Sequence, residues 1–209
     1  GLLASGGLVR VRLTLRADNE ADLRRLRREM IDEVHARIGE ADIWGLDDDT
    51  LEEAVGRLLL ERGWYVSVAE SCTGGMINAS LTRVFGASQY LKTGYVVYSN
   101  ESKTRLLGVR ESTLEAHGAV SAETAAEMAQ GALRESGADI AASVTGIAGP
   151  SGGSEEKPVG LVFLGVATRR GVETFRVQFP GERDLVRQFS TVRCLDLIRR
   201  RLLGETLGE

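Results

Sequence analysis

Ser71, Cys72 and Thr73 lie between an aromatic and β-branched run over residues 64–69 and a glycine pair, Gly74 and Gly75. The run has the composition of a strand, and residues 76–83 continue as a helix after the glycines. Ser71 is therefore expected at a strand end close to a helix N-terminus. Unpaired main-chain N–H groups and the positive end of the helix dipole favour a phosphate or a developing oxyanion there. The same residues also suit an ordinary Ser/Thr cap with a glycine turn.

A serine nucleophile needs a base, and the chain holds only two histidines, His35 and His117. A Ser-His-Asp arrangement would depend on His117 alone, which precedes a cap at Ser121 and equally reads as a loop histidine. The stretch Tyr98-Ser99-Asn100-Glu101-Ser102-Lys103 offers another base. Its tyrosine falls at a strand end, and its lysine about one helical turn past the Asn100 start. Burial lowers an ammonium pKa, and a neutral amine can deprotonate a serine hydroxyl. A solvated lysine is the competing reading. Residues 144–154 hold four glycines after an apolar strand, so this loop either approaches a ligand closely or is a plain surface loop. Arg183 and Arg187, one turn apart, suit a phosphate or carboxylate, or else pair with Glu182 or Asp184.

The composition, 209 residues with 43% hydrophobic content and a net charge of -4, supports a sizeable core and gives no electrostatic reason to expect nucleic acid. Two cysteines make no disulfide framework, and no motif has the spacing of a metal quartet. No apolar run approaches the roughly 20 residues of a membrane span, and no charged start of a signal peptide is seen, so a cytoplasmic location is expected.

Residues 8–15 alternate as a half-exposed strand, with Val9, Val11, Leu13 and Leu15 on one face. Residues 19–38 form an amphipathic helix through Leu23, Leu26, Met30, Val34 and Ile38, ending at Gly39. One strand and one helix close no core, so residues 1–47 are expected to be a small α/β appendage. After the polar break at Asp47-Asp48-Asp49, Thr50 and Glu53 form a capping box opening a helix through Leu60. Strands are expected over 64–69, 94–99, 140–144, 159–168 and 172–179, the last two as an antiparallel hairpin. Helices are expected over 121–136 and 182–203. This predicts a three-layer α/β/α domain with a mixed sheet over residues 48–209.

Five motifs taken in order are Ala69-Glu70-Ser71-Cys72-Thr73-Gly74-Gly75, Tyr98-Ser99-Asn100-Glu101-x-Lys103, His117-Gly118-Ala119-Val120-Ser121, Thr145-Gly146-Ile147-Ala148-Gly149-Pro150 and Gly152-Gly153-Ser154-Glu155-Glu156-Lys157-Pro158-Val159-Gly160. Together they closely resemble the C-terminal domain of the competence/damage-inducible CinA family, over about residues 51–203. The resemblance implies a three-layer sandwich, usually dimeric, and hydrolysis of nicotinamide mononucleotide to nicotinic acid mononucleotide and ammonia. It implies no metal or cofactor, a small nucleotide as partner, and a homodimer. Carried over, the nucleophile falls on Ser71, the base on Lys103 and a supporting tyrosine on Tyr98. The substrate-binding set comprises Thr73, Gly74, Gly75, Asn100, Thr145, Gly146, Arg183 and Arg187. Residues 1–47 resemble the end of the family's middle domain. The competing expectation is a non-catalytic nucleotide-binding or regulatory domain.

Overall fold

The computed structural model describes residues 1–204, so the last five positions of the expected 48–209 domain lie outside the described residues. The chain divides into two compact units, Gly1–Thr50 and Leu51–Glu209.

In the first unit, β1 (Leu2–Ser5) pairs antiparallel with β2 (Leu8–Val11), and α1 spans Glu20–Ile38. The strand expected over 8–15 is thus shorter and has a partner that the sequence reading missed. Val9 stays largely exposed, because a two-stranded ribbon has no second layer in which to bury its alternating face. Asn19 caps α1 by accepting from the Asp22 N–H, and Gly39 ends the helix. Its arginines pair along the helix surface, Arg24 with Glu20 and Arg37 with Glu33, as a solvated face does.

The second unit has a five-stranded sheet in the order β4-β3-β5-β6-β7. Its strands are β3 (Val66–Glu70), β4 (Leu91–Val96), β5 (Ile140–Gly146), β6 (Leu161–Thr168) and β7 (Gly171–Gln178). β3 lies parallel to both β4 and β5, whereas β5-β6 and β6-β7 are antiparallel, which makes the sheet mixed. Helices cover both faces of the sheet, so β3 is fully buried and β6 nearly so; β6 is apolar almost throughout, whereas β3 also buries Ser67 and Glu70. One layer holds α2 (Leu51–Arg62), α3 (Met76–Arg83) and α7 (Arg183–Leu203). The other holds α4 (Asn100–Leu107), α5 (Glu111–His117) and α6 (Ala122–Ser136). The expected three-layer sandwich is therefore present.

β4 begins three residues earlier than expected. Against β3 it carries one extra residue: Val66 faces Leu91 while Ser67 faces Thr93, so Lys92 bulges from the ladder. α6 starts after Ser121, whose hydroxyl accepts from the Thr124 N–H. α5 was not expected at all; of its seven residues only Thr113 is buried, so no apolar periodicity marks it. Between α4 and α6, Val97, Leu107, Val109, Met128 and Ala132 pack with Ala69 and Ala141 into a closed cluster. Burial of such side chains contributes roughly 1.5–3 kcal/mol each, and this cluster seats α4 against the sheet. Among the described residues no helix is long and apolar enough to cross a membrane.

Candidate active site

β3 and β4 run parallel, so the turn leaving β3 and the segment leaving β4 emerge side by side at the carboxyl edge of the sheet. Ser71 follows β3 directly, its N–H donating to the Val144 carbonyl at 3.0 Å. The chain then turns through Gly74 (φ 62°) and Gly75 (φ 101°) into α3. Both sit in the left-handed region that favours glycine. On the other side, Ser99 caps α4 by accepting from the Ser102 N–H at 3.1 Å. Lys103 and Leu107 lie one turn apart on the core-facing stripe of that helix, and both are buried. A lysine thus occupies an apolar position.

The Lys103 Nζ lies 3.2 Å from the Ser71 Oγ, 2.9 Å from the Val97 carbonyl oxygen and 3.0 Å from that of Tyr98. An ammonium would donate to all three. A neutral amine has two N–H donors and one lone pair, so the two carbonyls, which can only accept, take the donors. The lone pair is then left for the Ser71 hydroxyl, which donates to it. Burial favours this form: it pulls the Lys103 pKa down to about 8, with Cys72 opposing in part. The geometry is that of a base held against an alcohol.

Tyr98 is near this pair by its main chain. Its carbonyl accepts from Lys103, while the residue is 64% exposed and its phenol makes no hydrogen bond among the described residues. The phenol is thus not brought to Lys103. Asn100 is exposed as well; with Glu101, Thr104, Glu111, Leu114 and Glu115 it lines a surface groove of about 310 Å³ between α4 and α5.

Thr73 is buried, and its hydroxyl has no partner among the described residues. The Thr145 hydroxyl donates to the Ala119 carbonyl at 2.6 Å, so it ties β5 to the segment before α6. Gly146 packs against Leu161 and Val162, which leave no space for a Cβ. The two arginines do converge on the site's loops. Arg187 Nη2 donates to the Thr73 carbonyl at 3.0 Å, and Arg183 Nη1 to the Gly149 carbonyl at 2.9 Å. The alternative pairing survives only as a 3.5 Å contact from Arg187 to the exposed Asp184. Arg187 Nη2 also lies 3.5 Å from where a Cβ on Gly74 would sit, which puts a guanidinium over the nucleophile turn.

The α3 N-terminus is not open, contrary to the expectation that its N–H groups, with those near Gly74, receive an anion. Gly74 N–H donates to the Ser71 carbonyl. The N–H groups of Gly75, Ile77 and Asn78 donate to the Glu70 carboxylate at 2.9, 3.2 and 2.8 Å. Only the N–H groups of Cys72 and Thr73 in this turn are without an acceptor elsewhere among the described residues. Sequence reasoning assigns no role to Glu70. An acid closing an apolar strand just ahead of a helix start was the available signal.

Lys157 Nζ donates to the His117 and Val120 carbonyls at 2.7 and 2.9 Å, so it fastens the glycine loop to the segment before α6. The His117 side chain is half exposed and faces Glu123 at 3.6 Å, away from any base role for Ser71. Cys72 is buried, and burial pushes its thiol up to about 12, so it stays protonated at neutral pH. Among the described residues no three His, Cys, Asp or Glu side chains gather as a metal site would.

Residues 48–202 match the family model described as the CinA C-terminal domain. A putative competence-damage inducible protein of Caldicellulosiruptor bescii is 49% identical over 195 residues, covering 93% of this chain and 47% of its own length. A CinA-like protein of Thermosynechococcus vestitus is 48% identical over 203 residues, covering 96% of this chain and 49% of its own. The chain thus spans about half the length of these curated relatives. Among solved structures, the competence damage-inducible protein A of Klebsiella pneumoniae superposes with a TM-score of 0.72 at 38% identity, covering 75% of this chain and 97% of that one. A competence/damage inducible protein of Agrobacterium tumefaciens gives 0.68 at 42% identity, covering 73% and 96%. On this match the chain belongs to the CinA family, through that family's C-terminal domain.

Proposed function

We propose that the second unit is a serine amidohydrolase that deamidates nicotinamide mononucleotide by a Ser71/Lys103 mechanism, working as a homodimer. The observation that carries this reading is the buried Lys103 amine 3.2 Å from the Ser71 hydroxyl, with two carbonyls occupying its donors. The substrate follows from the resemblance to the family's deamidases.

In the first half-reaction the Lys103 amine takes the Ser71 proton as Oγ bonds to the carboxamide carbon. The carbonyl oxygen becomes an oxyanion, held by the Cys72 and Thr73 N–H groups. Lys103 returns the proton to the amide nitrogen, the C–N bond breaks and ammonia leaves, with an ester on Ser71. Water, deprotonated by Lys103, then adds to the ester; Ser71 recovers its proton and the acid departs. Arg183 and Arg187 hold the phosphate, since the α3 terminus is taken by Glu70.

Ammonia release from nicotinamide mononucleotide tests the reading. The wild type is expected to turn over and Ser71→Ala to be inactive; full activity in Ser71→Ala would overturn it. Tight binding of the mononucleotide by the wild type without turnover would instead favour a binding module. Cys72→Ser is expected to keep kcat within about threefold of wild type, because a thiol protonated at neutral pH is no nucleophile. A loss of two orders of magnitude in that variant would move the nucleophile to Cys72.

A further inference from the structure

We propose that Glu70 is the positioning residue of the nucleophile turn. By capturing the first main-chain N–H groups of α3, it holds the turn so that the Cys72 and Thr73 N–H groups face the oxygen of the acyl group attacked by Ser71, and it closes the helix N-terminus to the substrate's own anion. The inference rests on the Ser71/Lys103 reading.

The Glu70 side chain is fully buried. Its two oxygens take four donors: Oε2 accepts from the Gly75 and Ile77 N–H groups, and Oε1 from the Asn78 N–H and the Asn78 Nδ2. No cation is paired with it among the described residues. A carboxylate buried among apolar strands costs several kcal/mol unless its oxygens are satisfied. Here the helix amides and dipole satisfy them.

The consequence for the turn is mechanical. Its start is fixed by main-chain bonds, Ser71 N–H to Val144 and Val97 N–H to the Glu70 carbonyl. Its end is fixed by the Glu70 side chain reaching forward to Gly75 and Asn78. Between the two tethers the Gly74 N–H is spent on the Ser71 carbonyl, which leaves Cys72 and Thr73. Loss of the carboxylate releases the far tether and leaves the Ser71–Lys103 contact in place. Stabilisation of the oxyanion, which appears only in the transition state, should therefore fall while substrate binding persists.

The test uses the whole chain carrying Glu70→Gln or Glu70→Gly. It follows ammonia release from nicotinamide mononucleotide and labelling of Ser71 by a fluorophosphonate, whose P=O oxygen enters the same hole. Glu70→Gln presents an amide NH₂ where a donor already points. It is expected to lower kcat and the labelling rate about 100-fold, with KM within about threefold. Formate at tens of millimolar is expected to restore Glu70→Gly at least tenfold, by seating a carboxylate in the vacated space, and to restore nothing to Ser71→Ala.

Glu70→Gln within threefold of wild type on both readouts, or an effect confined to KM, would overturn the proposal. So would a loss that tracks the fraction unfolded in circular dichroism, or a folded Glu70→Gly that formate leaves unchanged. If Glu70→Gly does not fold, the Glu70→Gln kcat-to-KM split decides. A wild type that is labelled at Ser71 but releases no ammonia sinks the substrate alone, and the labelling arm still judges Glu70. A wild type that is neither labelled nor active overturns both.

Discussion

Lys103→Met is expected to lower kcat/KM for the mononucleotide about 10,000-fold near neutral pH, because it removes the amine that, among the described residues, is the only side-chain partner of the Ser71 hydroxyl, while keeping the apolar stem. On the proposed Ser71/Lys103 mechanism the active form is the free amine. With the Lys103 pKa held down to about 8 by burial, log kcat/KM should rise with unit slope below that pH and level above it. The variant should lose this limb. Stability carries the same signature with a definite sign. Below pH 8 the ammonium is present in both states and its burial penalty is fully felt. Between about 8 and the unfolded value near 10.4 the unfolded chain binds more protons, so this group's contribution to stability increases with pH, by about 3 kcal/mol in all. Urea unfolding of wild type and Lys103→Met at pH 7.5 and 10 measures it. A wild-type rate independent of pH between 6 and 9 would remove Lys103 as the base.

Gly131→Ala, outside the site, should destabilise the fold and lower turnover together. Glycine inside a helix is about 1 kcal/mol worse than alanine, so at an exposed position the substitution would stabilise. At Gly131 the sign reverses: an added Cβ would overlap the Leu107 carbonyl, the last residue of α4, where the two helices cross. Overpacking of this kind costs roughly 1–3 kcal/mol. It would also push α4 outward, and Lys103 rides on α4. We expect a fall in urea midpoint together with a drop in turnover larger than the unfolded fraction explains. Unchanged turnover in the folded fraction would show that α4 yields without moving its lysine.

The sequence exposed the parts of this arrangement that depend on local periodicity. Residues 76–83 and 122–136 carried clear helical stripes with a glycine pair or a serine cap at their heads, and both helices occur there. β6 and β7 were legible as a hairpin because Arg169, Arg170 and Gly171 form a turn between an apolar run and an alternating one. Ser71 and Lys103 stood out as residue types, since a hydroxyl at a strand end and a lysine in helical phase are local facts. What was not legible depended on the main chain. Tyr98 could be picked as a tyrosine, but the group that reaches Lys103 is its carbonyl, which every residue has. Glu70 was hidden for the complementary reason: its four donors become neighbours only when the turn has closed. β1 and α5 were missed because elements of four and seven residues with little burial leave almost no pattern.

The bulge at Lys92 gives the outer strand of the sheet a role as a spacer. Ser71 hangs from the end of β3, and the carbonyls that cradle Lys103 come just after the end of β4, so the gap between nucleophile and base is set by how those two parallel strands slide past one another. One residue of slip is about 3.3 Å, as long as the 3.2 Å that separates Nζ from Oγ. Lys92, looped out near the entry of β4 with its ammonium over the Tyr65 ring, is the single residue that takes up this offset. The Nζ–Oγ distance at one end of the strands is therefore gauged at the other end, by a residue that approaches neither atom.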